Sequence, residues 1–158
     1  MANALDLLRE MKNAKCIPNT ITYSSAISAC GKAGGEIGMK NALALLREMK
    51  EANLLNRKLG TLNTLDLHEN NFFSRHTWNK IVKRDSTRST HIPGIHPSLA
   101  RIYLLDIIQS NGSLPSTIIV GQHGHDSLKN TVINTLSNHG VMVSSDESNK
   151  GLLIIDAA

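Results

Sequence analysis

The chain reads as α + α/β, a short all-α helical-repeat segment followed by a β-α-β-α-β-β sandwich. Two observations predict this. Over residues 1–57 apolar side chains recur at i, i+3, i+4 and i+7, and one such stripe is nearly a copy of another. From residue 58 onward, short apolar runs of strand length alternate with helical stripes, separated by turns bearing glycine and asparagine. Composition agrees with globular domains: of 158 residues 41% are hydrophobic, and 17 Lys+Arg against 13 Asp+Glu leave a net charge of +4. That mild positive excess is compatible with nucleic acid without demanding it. No apolar run approaches the roughly 20 residues of a membrane span, so no membrane partner is expected.

The helices come first. Ala4-Leu5-Asp6-Leu7-Leu8-Arg9-Glu10-Met11-Lys12 returns as Ala42-Leu43-Ala44-Leu45-Leu46-Arg47-Glu48-Met49-Lys50, eight of nine positions agreeing at an offset of 38 residues. Ala4, Leu7, Leu8 and Met11 form the apolar stripe of the first copy, and Ala42, Leu45, Leu46 and Met49 that of the second. Between them Tyr23, Ala26, Ile27 and Cys30 mark another helix, which Gly34-Gly35 should stop. Cys16 and Cys30, with no disulfide framework to join, read as reduced thiols of an intracellular protein.

Thr22-Tyr23-Ser24, the run Ala26-Ile27-Ser28-Ala29-Cys30-Gly31-Lys32-Ala33-Gly34, Ala42-Leu43 and Glu48-Met49-Lys50 together resemble the pentatricopeptide repeat family. The resemblance covers residues 1–57, about one and a half repeats, and Gly35-Glu36-Ile37-Gly38 makes the repeat longer than the family's. It implies single-stranded RNA as partner, each repeat reading about one base through a polar residue early in its first helix and through its final residue. Those positions fall on Ser24, with Asn19 and Arg57 at the repeat ends. The other partner class for stacked helices is a protein, as in tetratricopeptide arrays. About three repeats are needed to bury such faces. The segment is therefore expected to pack on the C-terminal half or, the favoured expectation, to be the tail of a longer array.

Residues 58–158 form the second domain. Thr64-Leu65-Asp66-Leu67-His68-Glu69 is a strand whose alternation sends Leu65 and Leu67 to the core and sets Asp66 beside His68 on the other face. Residues 70–95 read as an irregular insertion in which Arg75, Lys80, Lys83, Arg84 and Arg88 interleave with Phe72, Phe73 and Trp78. Cations for phosphates and ring faces for bases suit a single-stranded nucleic acid; alternatively the aromatics pin the insertion to its own domain. Pro97 opens a helix buried along Ala100, Tyr103, Leu104 and Ile107, and Asn111-Gly112 ends it. The apolar run Thr117-Ile118-Ile119-Val120 predicts a strand covered on both faces. After Gly121-Gln122-His123-Gly124-His125-Asp126 comes a helix with Asp126 as its N-cap and Leu128, Val132 and Leu136 inward. Gly140 closes it, and Val141–Val143 and Leu152–Ile155 are the last strands. His76, His91, His96 and His139 read as surface or capping residues.

Ligands of such sheets collect beyond the carboxyl ends of the strands. Two strands end there in capable chemistry. Asp66 and His68 can transfer a proton or hold a phosphate ester. Gly121 and Gly124 allow a tight turn before a helix N-terminus, and His123 and His125 can donate to a phosphate. Asp66 with Glu69 could recruit a divalent cation, Mg2+ or Mn2+; otherwise no cofactor is expected. A rival is a zinc-type site of His68, His123, His125 and a carboxylate.

This half, about residues 61–158, resembles the Smr (small MutS-related) domain. Leu65-Asp66-Leu67-His68 matches the first four letters of that family's L-D-L-H-G motif, with Glu69 in the fifth place. In its T-G-x-G-x-H-S loop Gly121 and His125 match, while Val120, His123 and Asp126 stand for Thr, Gly and Ser. The resemblance implies nucleic-acid cleavage, with Asp66, His68 and His125 catalytic and the Gly121–Gly124 loop at the phosphate. The combined expectation is an RNA-processing endonuclease, monomeric, without a small-molecule substrate, and placed by the family resemblance in a mitochondrion or chloroplast. The alternatives are a non-catalytic RNA-binding adaptor and, third, a DNA-nicking domain.

Overall fold

A computed structural model of the protein describes residues 2–56, 59, 63–74, 95–110, 112–121 and 126–156, Glu69 and Asn70 in their backbone alone. Three helices open it: α1 (Ala2–Asn13), α2 (Thr20–Ala33) and α3 (Gly35–Glu51). Asn19 starts α2 through a capping box, its side chain accepting from the Thr22 N–H while Thr22 Oγ1 faces the Asn19 N–H. Gly34, at φ 65°, ends α2, and its N–H donates to Cys30 O. The next residue already belongs to α3. The residues that lengthen the repeat, Gly35 to Gly38, are thus an added first turn of α3 rather than a loop. Gly38 lies where α3 meets α2: a Cβ there would stand 2.7 Å from Cys30 O. Tyr23, Ala26, Ile27 and Cys30 of α2 and Ala42, Leu45, Leu46 and Met49 of α3 are all buried, as their periodicity predicts. In α1 Leu8 is buried but Leu7 is 64% exposed, because α1 packs on α2 and lacks the second neighbour that its copy α3 has.

The sheet has the order β1-β2-β4-β3. Strand β1 (Thr64–Asp66) runs parallel to β2 (Thr117–Ile119), while β4 (Leu152–Asp156) is antiparallel to both β2 and β3 (Met142–Ser145). Hence β1, β2 and β3 share one direction, with β4 inserted against it. A short helix α4 (Glu69–Phe72) follows β1; α5 (Pro97–Gln109) completes the crossover to β2, and α6 (Asp126–Ser137) makes that from β2 to β3. Right-handed crossovers advancing in one direction put both long helices on the same face, and α5 and α6 pack together there. Leu65, Ile118 and Leu153 are in register across that covered face and are buried. On the other face Thr117, Ile119, Leu152 and Ile154 are half-buried and Met142 is 71% exposed. The Thr117–Val120 run is therefore covered on one face and partly open on the other, a correction to the double-sided burial its apolar character predicts.

The stretch expected to be irregular from residue 70 starts as ordered core. Phe72 and Phe73 are buried, edge-on to one another, and Phe72 is edge-on to Tyr103. Phe73 also bridges to Leu55. For these two rings pinning, not nucleic-acid stacking, is what burial permits; Trp78 and the basic residues from Arg75 to Arg88 lie outside the described residues. Helix α5 buries Leu99, Ala100, Ile102, Tyr103, Leu104 and Leu105, more than one stripe, because it packs against α6 as well as against α2 and α3. The helical segment thus does pack on the α/β half. Lys50 of α3 pairs with Asp106 and sits 5.3 Å over the Tyr103 ring. Burial, aided by the Asp106 charge, pushes the Tyr103 hydroxyl up to about 12. Lys12, the same residue in the first copy, pairs with Glu48 and lies 5.9 Å over Tyr23. Among the described residues no helix is long and apolar enough to cross a membrane.

Candidate functional site

Parallel pairing of β1 and β2 brings their carboxyl ends side by side, so Asp66 and Gly121 become neighbours although 55 positions separate them. The ladder continues past β1 through Leu67 N–H to Ile119 O at 2.9 Å, and Leu67 O accepts from the Ile95 N–H. Leu65 and Leu67 anchor the strand from below. Asp66 and His68 are left on the accessible side, each side chain 25% exposed.

Asp66 organises this end. Its Oδ1 accepts from the His68 backbone N–H at 2.9 Å and stands 2.7 Å from His68 Nδ1, while Oδ2 accepts from Asn71 Nδ2 at 2.6 Å. With Nδ1 bonded to a carboxylate, the imidazole carries its proton there, and the Nε2 lone pair is left as an acceptor. Nε2 faces Gly121: a Cβ on that residue would lie 3.0 Å from it. Gly121 holds φ at +85°, which a side chain would strain. The structure thus unites Asp66, His68 and Gly121 as the sequence predicts, and adds Asn71. Nothing in the pattern marked Asn71, although an asparagine in the first turn after the histidine is within reach of the preceding strand end.

His123, Gly124 and His125 lie outside the described residues, as do Arg57 and the side chain of Glu69. Asp126 is the first residue of α6 rather than the residue flanking it, so its carboxylate sits within the positive first turn. Both Asp66 oxygens are engaged by N–H donors, and among the described residues no three His, Cys, Asp or Glu side chains gather. The expectation of a cation between Asp66 and Glu69 falls in part on the Glu69 side chain, which lies outside the described residues. His96 caps α5, its Nδ1 accepting the Ser98 N–H at 3.2 Å, and His139 Nδ1 lies 2.8 Å from Thr135 O.

In the helical segment Asn19 Oδ1 is engaged in the α2 cap, which leaves its Nδ2 for any base contact. Ser24 lines a cavity of about 560 Å³ between α2 and the start of α5, with Lys32, Phe73 and His96 among its walls. Ser24 Oγ is buried and has no hydrogen-bond partner among the described residues, a state that typically costs ~1–3 kcal/mol. The sequence marked Ser24; the participation of Phe73 and His96 depended on a packing that periodicity does not show.

No protein-family model, no curated protein and no solved structure matches the chain.

Proposed function

We propose that the protein binds single-stranded RNA along its helical segment and cuts it at the carboxyl ends of β1 and β2. The observation that carries this is the Asp66–His68 pair, with Nδ1 tied to a carboxylate and Nε2 directed at the turn after β2. In this reading His68 Nε2 removes the proton of a ribose 2′-hydroxyl. The freed oxygen attacks the adjacent phosphorus, and the bond to the 5′-oxygen breaks. That oxygen takes a proton from a general acid, the role the family resemblance gives to His125. The products are a 2′,3′-cyclic phosphate and a 5′-hydroxyl end. Asp66 fixes the tautomer and stabilises the imidazolium formed in the step.

The test uses a labelled single-stranded RNA with wild-type protein, His68→Ala and Asp66→Asn. Cleavage should fall by ~10²–10⁴-fold in His68→Ala and less steeply in Asp66→Asn, with RNA affinity unchanged. The same oligonucleotide built of deoxyribose should stay intact. Equal product from all three proteins would sink the assignment.

One observation favours a second reading. Three N–H donors on Asp66 would equally serve to lock the strand end as a rigid turn. A non-catalytic RNA-binding adaptor is then the result, with affinity falling linearly in log salt and no cut product from the wild type.

A further inference from the structure

The two helical copies end alike and then part. At the close of α1 the Cys16 N–H reaches back to Met11 O with Lys15 at φ 57°, and at the close of α3 the Leu54 N–H reaches back to Met49 O with Asn53 at φ 54°. These positions are equivalent at the offset of 38 residues. Ile17, next in the first copy, is 90% exposed on the way to α2, whereas its equivalent Leu55 is 6% exposed. The difference lies in what the chain meets. Leu55 bridges to Phe73, the Asn56 N–H donates to Phe72 O and the Ser74 N–H to Leu54 O, both at 2.9 Å. The turn that leads to another helix in the first copy is joined in the second, as a short antiparallel ladder, to the α/β half.

What this ladder grips is α4. One turn of helix fixes more backbone than its own hydrogen bonds repay, so α4 depends on groups outside it. At its start the His68 carbonyl accepts from the Asn71 and Phe72 N–H groups, at 3.1 and 2.9 Å. At its end the last carbonyls have no helical donor. Asn56 serves two of them, its Nδ2 donating to Asn71 O at 2.9 Å and its backbone N–H to Phe72 O. Held this way, Asn71 turns its Nδ2 back on Asp66 Oδ2 at 2.6 Å. The carboxylate torsion of an aspartate is broad and roughly two-fold. Oδ1 is held by the His68 N–H at 2.9 Å, but a single point leaves the carboxylate free to pivot. Asn71 on Oδ2 is the second point, and it sets the plane in which Oδ1 meets His68 Nδ1.

We propose that Asn71 is a positioning residue for the Asp66–His68 pair and that Asn56, at the end of the helical segment, holds it in place. The catalytic meaning of this rests on the cleavage reading above. Asn71 acts through Asp66: by fixing the carboxylate it keeps the imidazole proton on Nδ1 and the Nε2 lone pair free to take the proton of a 2′-hydroxyl. With the carboxylate loose, a share of the rings carries the proton on Nε2, where none can be accepted. The end of the helical repeat thereby completes the orientation of a histidine that lies in the other half of the chain.

Nitrogen NMR of the imidazoles, without RNA, reads which ring nitrogen of His68 carries the proton; its signals are assigned by their absence from His68→Ala. The wild type should carry it on Nδ1. Asn71→Leu, close in size but without the donor at an exposed position, should shift it toward Nε2. Asn56→Asp keeps the backbone bond to Phe72 O and loses the side-chain donor, so the shift should have the same sense and be smaller. In Asn71→Leu the kcat for RNA cleavage should fall ~10–100-fold with KM unchanged, as for a misplaced catalytic group. Gly140→Ala, at the opposite end of the sheet with nothing within 4 Å of its Cβ, controls for lost stability and should alter neither the ring proton nor kcat. Circular dichroism checks folding, and Asn56→Asp decides if Asn71→Leu unfolds. A folded Asn71→Leu protein with the proton still on Nδ1 overturns the role of Asn71. A shift in Asn71→Leu with none in Asn56→Asp overturns the hold of Asn56, and a shifted proton with RNA cut at the wild-type kcat overturns the catalytic meaning. RNA cut by the wild type, with the ring unmoved in both variants, refutes the positioning role and leaves the cleavage reading standing. A shifted ring in a protein whose wild type cuts no RNA does the reverse.

Discussion

His68 is constrained at both ends of its ring, by the Asp66 carboxylate at Nδ1 and by the Gly121 backbone near Nε2. A side chain at residue 121 must therefore displace the imidazole as well as strain the backbone at φ +85°. Gly140 offers a control: its φ is +76°, and nothing lies within 4 Å of a Cβ there. Gly121→Ala and Gly140→Ala should each lose ~1–2 kcal/mol of stability in urea titrations, whereas RNA cleavage should fall only in Gly121→Ala. Equal activity in the two variants would mean that the ring position does not matter. At this scale the sequence was informative where chemistry is local. Alternation alone places Asp66 beside His68, and a glycine after an apolar run marks the turn. Asn71 was hidden because its partner lies on another element, and Ser24's missing partner becomes visible only once its neighbours are in place.

Helices α2 and α3 meet through a glycine. A methyl at Gly38 would lie 2.7 Å from a backbone oxygen of α2, and since neither atom is on a flexible side chain the helices themselves must separate. Gly38→Ala should cost ~1–3 kcal/mol despite its better helix propensity, read as a lower urea midpoint with unchanged slope. A neutral or stabilised variant would show that the helices can separate at no cost. Element identities were well marked by period: the order β-α-β-α-β-β and three of the repeat's stripes derive from it. Burial on second faces was not. One apolar stripe predicts one covered side, yet α5 is enclosed by two layers. The Thr117–Val120 run carries isoleucines on both faces, yet only one is packed under helices. Periodicity reports the character of a face, and what covers it depends on elements distant in the chain.

For the molecule as a whole, the buried side chains of both halves form one continuous core. Helix α5, in which Leu99, Ile102 and Tyr103 are buried, packs on α2 and α3 as well as on α6. Thermal unfolding should therefore be a single transition with coincident far-UV and near-UV signals. A chain lacking residues 1–51 should lose that cooperativity and bind a hydrophobic dye; a cooperative melt of the shortened chain would show that the α/β half stands alone. The basic insertion and the histidines of the turn after β2 remain where the sequence placed them, as expectations about RNA contact.

The antiparallel β4 carries a consequence for how the molecule is made. It comes after the other three strands in sequence, yet it occupies an interior place between β2 and β3. During synthesis β1 and β2 can pair early, but β3 emerges from the ribosome with no partner to join. At ~5–20 residues per second, the unpaired edges of β2 and β3 stay open until Leu152–Asp156 arrives and joins both at once. A nascent chain stalled short of that strand would hold a two-stranded half-sheet with its ladder groups open to other chains, while the Asp66–Gly121 end is already assembled.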